Sequence, residues 1–359
     1  MIFSREFCAA IDKCVSGGFP FAVAIIPNDS KPLFFATEKL IDCTCGVPDD
    51  WNGFVVATFG VGESQSPQGI EARFSIEEIL KLDITHENYT IDSQSHSHES
   101  STSYSDYITT INTVVSNFDD NNSKVVISRV ISAKSEMKLL GVAESYFSKF
   151  TNCFRALYYT PHTGLWIVAT PEILLKQSKE SGVIETMSLA GTRRIGDKHW
   201  DLKNLSEHQL VTDYICAKFE SSGLSAEVAT PSEVRFGEIE HLCNHIRATG
   251  STDILKLALK LSPTPAVCGF PVASAMDTIT KMEGHNRECY GSFVGVVNEL
   301  GSNLFVNLRC AKVTSLPSGN YEYTMYSGGG INKMSVAETE WTETEMKISP
   351  LYNIVTNKK

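Results

Sequence analysis

The stretch LFVNLRCAKV (304–313), followed by YEYTMYSGGGINKMSVAETEWTETEMKISPL (321–351), decides how this chain is read. Its first part is a compact apolar run, as in a buried strand, and ends on a cation, Arg309. Its middle reads as a strand running into a glycine turn, Ser327-Gly328-Gly329-Gly330-Ile331. Its last part reads as an acidic helix with Glu340, Glu343 and Lys347 at i, i+3 and i+7, so the three share a face. A cation at a strand end, bare amides in a glycine turn and carboxylates on a helix suit an anionic ligand and a metal ion. The bland reading of that helix is a solvated face with a Glu343–Lys347 pair worth roughly 0.2–0.5 kcal/mol.

Outward from there, the chain alternates strands and helices. Residues 4–16 have a helical apolar face of Phe7, Ala10, Ile11 and Cys14. FAVAIIP (21–27) and PLFFAT (32–37) form a hairpin pattern around Asn-Asp-Ser. The tract 92–105 is a polar loop, and its His96, His98 and Glu99 read as solvated residues without a scaffold to hold a metal. KVVISR opens a strand at Lys124. FRALYYTP (154–161) and GLWIVATPEILLKQ (164–177) pair across a turn, and Glu172 interrupts the second, either facing water or serving a purpose. The segment 182–197 is a strand ending in LAGTR. The segment 205–220 is a helix with Ser206 as its cap. Glu207 in its first turn is either a helix-dipole partner or a metal ligand aimed at the core. His241, Cys243 and His245 lack a zinc-binding pattern and read as structural. Hairpins mixed with helices, without repeats or a clean linker, predict one large α+β domain of extensive, mainly antiparallel sheets flanked by helices.

Bulk properties narrow the function. At 359 residues and 42% apolar, a large core is available. A net charge of −11 argues against nucleic-acid binding, and it requires any anionic ligand to be met by local cations or a metal. The ten cysteines are scattered without a CxxC pair, which predicts reduced thiols in a cytoplasmic protein. There is no signal-peptide pattern, and no apolar run approaches a membrane span.

From Lys124 onward, nine motifs stand in one order: KVVISR (124–129), ATPEILL (169–175), LAGTRR (189–194), SEHQLV (206–211), PTPAVCGFP (263–271), RECYGSFVG (287–295), LRCAK (308–312), YSGGGI (326–331) and EWTETEMK (340–347). In these the chain resembles the chorismate-utilising enzymes, which include isochorismate, salicylate, anthranilate and aminodeoxychorismate synthases. It is most similar to the isochorismate synthase branch of menaquinone and siderophore pathways. The resemblance covers residues 123–359; residues 1–122 carry no matching motif.

The resemblance implies a chorismate-binding fold and a Mg²⁺-dependent isomerisation of chorismate to isochorismate. It implies Lys124 as the base that activates water and Glu172 as the acid that protonates the leaving C4 hydroxyl. It implies Glu207 and Glu343 as magnesium carboxylates, Arg309 and Lys347 as substrate cations, and Gly191, Thr192, Gly328, Gly329 and Gly330 as substrate-lining turn residues. A lysine serves as base only if its pKa falls, and a glutamic acid donates near neutrality only if its pKa rises. Two departures stand out. Ser262 occupies the place of a family histidine, and the glycine turn lacks the family's alanines. The alternatives are a salicylate synthase, an aminodeoxychorismate or anthranilate synthase component I, and a silent chorismate-binding subunit. No amidotransferase segment is fused.

Overall fold

The computed structural model describes residues 2–84, 101–118, 124–196, 199–236, 238–250 and 252–358. The polar tract 92–105, with His96, His98 and Glu99, lies outside the described residues except for 101–105.

Two antiparallel sheets organise the described chain. The first has eight strands, in the order Gly269–Phe270, Lys124–Ser135, Tyr321–Ile331, Cys310–Ser315, Gly164–Thr170, Phe154–Thr160, Phe21–Ile25 and Leu33–Ala36. The second has ten. Its path is Ser225–Val228, Ile239–Thr249, Val183–Arg194, Ile173–Ser178, Gly301–Val306, Phe293–Asn298, Gly53–Val56, Gln68–Glu71 and Ile41–Asp42, with Ser232–Phe236 paired to Ile239–Thr249. The expected 21–27/32–37 hairpin is present, with Val23 opposite Phe34. Residues before 123 supply strands to both sheets.

Alternation along the strands builds the layers, because successive side chains leave a strand on opposite faces. Ala156, Tyr158, Trp166 and Val168 point between the sheets, where they meet Phe54, Val294 and Phe305. Phe154 stacks on Phe305 across that interface at 4.5 Å between centroids. Leu157, Ile167 and Ala169 point the other way, onto the helices Arg5–Gly17, Leu139–Lys149 and Ala337–Val355. The outer face of the second sheet is covered by Leu202–Glu220 and Ile254–Leu261. Strands covered on both faces lose the polar alternation of a surface sheet, which is why they read as unbroken apolar runs. The result is the expected α+β architecture of large antiparallel sheets flanked by helices. Among the described residues, no helix is long and apolar enough to cross a membrane.

Four local expectations are corrected, and each correction shapes the cavity described below. The run 164–177 is two strands, because the chain leaves the first sheet after Thr170 and enters the second at Ile173. The run 304–313 is also two strands. Gly301–Val306 ends early, and Cys310–Ser315 starts in the other sheet, leaving Arg309 in the crossing at φ 52°. The two crossings are tied together: Val306 N donates to Glu172 O (3.0 Å) and Ala169 N to Arg309 O (3.3 Å). The glycine turn is strand: Gly328, Gly329 and Gly330 pair with Ser128, Ile127 and Val126, and none takes a left-handed backbone. Finally, the helix expected at 205–220 begins at Leu202, capped by Asp201, whose carboxylate accepts from Asn204 N at 2.7 Å. Ser206 is therefore inside the helix, and Glu207 lies beyond the first turn, where dipole stabilisation fades.

Candidate active site

A small cavity of about 70 Å³ opens where the two crossings, the strand Tyr321–Ile331 and the helices Leu202–Glu220 and Ala337–Val355 meet. Lys124, Glu172, Gly191, Thr192, Glu207, Arg309, Gly328, Gly330, Glu343 and Lys347 all line it. Gly329 does not. Strand alternation turns it to the far face, where an added Cβ would lie 3.0 Å from Glu340 Oε2. The glycines are there for space rather than for turn geometry. A Cβ on Gly330 would fall 2.8 Å from Glu207 Oε2 and 2.9 Å from Lys124 Cε.

The crossing wall carries Glu172 and Arg309. Glu172 is 3% exposed, and among the described residues its carboxyl has no hydrogen bond or ion pair. Burial pushes its pKa up to about 8, with Lys124, Arg309 and Lys347 offsetting only part of the rise. Glu172 does not face the outer surface; it lines the cavity. Arg309 is buried over the Phe236 ring (4.3 Å) and donates from Nη2 to His241 Nε2 at 2.9 Å. Because Nε2 accepts that bond, the ring proton sits on Nδ1, which donates to Gly191 O at 3.0 Å. His241 is thus a neutral imidazole, and burial followed by the Arg309 and Lys347 charges lowers its pKa to about 3. The structural role assigned to His241 is therefore incomplete, since it lines the cavity and orients the arginine.

The helix wall carries the carboxylates. Glu207 is 8% exposed, and its Oε2 lies 3.5 Å from Lys124 Nζ. Glu340 is fully buried and accepts from Lys203 Nζ, which also lies 3.8 Å from Glu207 Oε1. Glu343 pairs with Lys347 Nζ at 2.5 Å, and the same ammonium donates to Gly328 O at 2.9 Å. The solvated-face reading of the last helix fails for Glu340. The i,i+4 pair is real, but it lines a cavity. Burial raises Glu343, yet Lys347 and Lys203 more than compensate and hold it well below the ordinary carboxylate range. Glu340 moves the other way, raised by burial and by Glu343.

The donor set fits a hard divalent cation. Glu207 Oε1 and Glu340 Oε2 are buried and accept no hydrogen bond; Glu207 lines the cavity beside Gly330, and Glu340 lies against Gly329 on the far face of the strand. Among the described residues, no three His, Cys, Asp or Glu side chains form a ready protein cage. Magnesium takes one or two protein carboxylates and completes its shell with water and ligand oxygens.

Lys203, Tyr290 and Tyr326 were missed in the sequence. Lys203 stands four residues before Glu207, a spacing that signals a helical ion pair. Tyr290 and Tyr326 stack at 5.6 Å and line the cavity. Arg287 lies over the Tyr290 ring at 5.7 Å. It grips Glu283, Val126 O and Val267 O, so it ties the Lys124 strand to the 263–268 segment. Ser262, expected near the site, does not reach the cavity; its carbonyl accepts from Gln65 Nε2 at 3.0 Å.

The chain is 30% identical over 206 residues to isochorismate synthase EntC of Escherichia coli K12, a match spanning 53% of this chain and 51% of that protein. The chain thus spans about half the length of the curated relatives it matches. Its fold matches that of MenF, the menaquinone-specific isochorismate synthase of Escherichia coli, with a TM-score of 0.77 at 17% identity over 99% of this chain and 92% of that one. It also matches anthranilate synthase component I of Streptococcus pneumoniae, with a TM-score of 0.61 at 14% identity over 92% and 89%. A family profile described as chorismate binding enzyme covers residues 12–356, and the chain belongs to that family.

Proposed function

We propose that this protein is a Mg²⁺-dependent isochorismate synthase that isomerises chorismate to isochorismate. The observation that carries the proposal is Glu172, a buried carboxyl with a pKa of about 8 lining the same cavity as Lys124. A carboxylic acid kept protonated near neutrality is a proton donor, and a lysine beside it is the complementary base. A pure binding protein has no use for that combination.

In this reading Arg309, aimed by His241, and Lys347 bind the carboxylates of the dianionic substrate. Lys124 takes a proton from a water that attacks ring C2. The ring double bonds shift, and the C4 hydroxyl departs as water with the proton of Glu172. One water enters and one leaves, so no redox cofactor is involved. Magnesium held by Glu207 and Glu343 would polarise the ring carboxylate and ease attack on the neighbouring carbon. Tyr290 and Tyr326 supply a flat wall for the ring.

The test is to incubate the purified protein with chorismate and Mg²⁺ and follow products by chromatography. Isochorismate without pyruvate or an amino product is expected. Release of pyruvate would instead indicate a salicylate synthase, and no turnover by folded protein would reject the assignment.

A further inference from the structure

Each carboxylate of the cluster already has a lysine partner without a metal. Glu207, Glu340 and Glu343 face three ammonium groups: Lys124 at 3.5 Å from Glu207 Oε2, Lys203 on Glu340 Oε1, and Lys347 at 2.5 Å from Glu343 Oε1. Adding a divalent cation to three such pairs sets its charge against ammonium groups in a poorly solvated space, where repulsion is strong. One lysine has to give way.

The three lysines are not equivalent. Lys124 and Lys347 line the substrate cavity; Lys124 is 3% exposed at its side chain, and Lys347, although 16% exposed, is also held by Gly328 O. Lys203 does not line the cavity. It stands near the start of the helix Leu202–Glu220, its side chain is 17% exposed, and it pairs with the two carboxylates. Its ammonium bridges Glu340 Oε1 and Glu207 Oε1, while Glu207 Oε1 itself accepts no hydrogen bond. A side chain with an outlet to water, bridging two acids from different helices, is positioned to act in place of a cation.

We propose that Lys203 is a displaceable counter-ion, holding Glu207 and Glu340 together when no divalent cation is bound and withdrawing toward solvent when one enters. The inference rests on the reading of Glu207 and Glu343 as metal carboxylates. It implies that the protein keeps an assembled site before metal arrives and accepts weaker metal affinity in return, which leaves the cation exchangeable.

The experiment titrates MgCl₂ alone, without chorismate, into wild-type protein and the variants Lys203→Met and Lys203→Arg, using calorimetry. Thermal denaturation is recorded with and without Mg²⁺. In Lys203→Met the dissociation constant for Mg²⁺ should tighten about tenfold, the metal-free protein should melt lower, and Mg²⁺ should restore more of the melting temperature than in wild type. In Lys203→Arg binding should weaken, because a guanidinium grips carboxylates in a bidentate fork and releases them less readily. Mg²⁺ affinity in Lys203→Met equal to or weaker than wild type overturns the proposal. If that variant does not fold, unchanged affinity in Lys203→Arg overturns it, and weakened affinity supports it. Absence of Mg²⁺ binding in every variant also overturns it. A wild type that binds Mg²⁺ but does not convert chorismate rejects the functional assignment instead, and the affinity shift still decides the role of Lys203.

Discussion

Glu172 on the crossing wall and Glu343 on the helix wall face one cavity, and their acidities move in opposite directions. Burial raises Glu172 to about 8, because Lys124, Arg309 and Lys347 act on it without an ion-pair contact. Burial pushes Glu343 the same way, but an ammonium at 2.5 Å and a second from Lys203 reverse the result. The difference is one of cation placement, not of residue type or depth. One wall thereby favours a protonated carboxyl and the other an ionised one.

The largest effect should come from removing the proton of Glu172. Glu172→Gln keeps a neutral, similarly sized side chain, so chorismate affinity measured by calorimetry should change little. Turnover should fall by about 10²–10⁴-fold. Retained turnover would remove Glu172 from the acid role. In wild type the protonated form dominates below the raised pKa, so turnover should decline as pH rises through about 8. The same shift carries a stability cost. A carboxyl whose folded pKa exceeds its unfolded value contributes stability that is complete below the unfolded value and is lost as pH climbs to the folded one. Between about pH 4.5 and 8, Glu172→Gln should therefore gain on wild type by on the order of a few kcal/mol, read from denaturation at several pH values.

A second test brings the two walls' neighbours into collision. Gly330→Ala places a Cβ 2.8 Å from Glu207 Oε2 and 2.9 Å from Lys124 Cε. Overpacking of this kind costs about 1–3 kcal/mol. Here it should appear as weakened Mg²⁺ binding together with lower turnover, whereas unchanged metal affinity would place the cation away from Glu207. The smallest effect is expected at His241. His241→Leu removes the acceptor for Arg309 Nη2, loosening the arginine without deleting it. KM for chorismate should rise about tenfold, the loss of one charge-assisted hydrogen bond, with kcat changing less. An unaltered KM would free Arg309 from its dependence on the imidazole.

Much of the fold was legible because its signals are local. The hairpin at 21–37 announces itself by two apolar runs around a turn. The helix Arg5–Gly17 does so by its apolar stripe. The ordered motifs similarly carried the family and named residues that do meet in one cavity. The errors lie where local signals are silent. Sequence spacing cannot reveal that a strand changes sheets after Thr170 or Val306, because both halves are equally apolar. Nor can three glycines in a row say whether they turn the chain or clear room beside it.

The sequence by itself determined the antiparallel α+β class, the net charge of −11 and most of the motif residues that the fold gathers around one cavity. These depend on composition, on apolar periodicity and on order along the chain. Tertiary structure alone decided that Gly330 faces the cavity and Gly329 does not, that His241 aims Arg309 from 68 residues away, and that Lys203 reaches Glu340 across 137 residues. Those outcomes depend on strand register and on how helices from distant parts of the chain approach one sheet edge. Burial and charge then act on whatever the fold has brought within a few ångströms, and no spacing in the sequence encodes that distance.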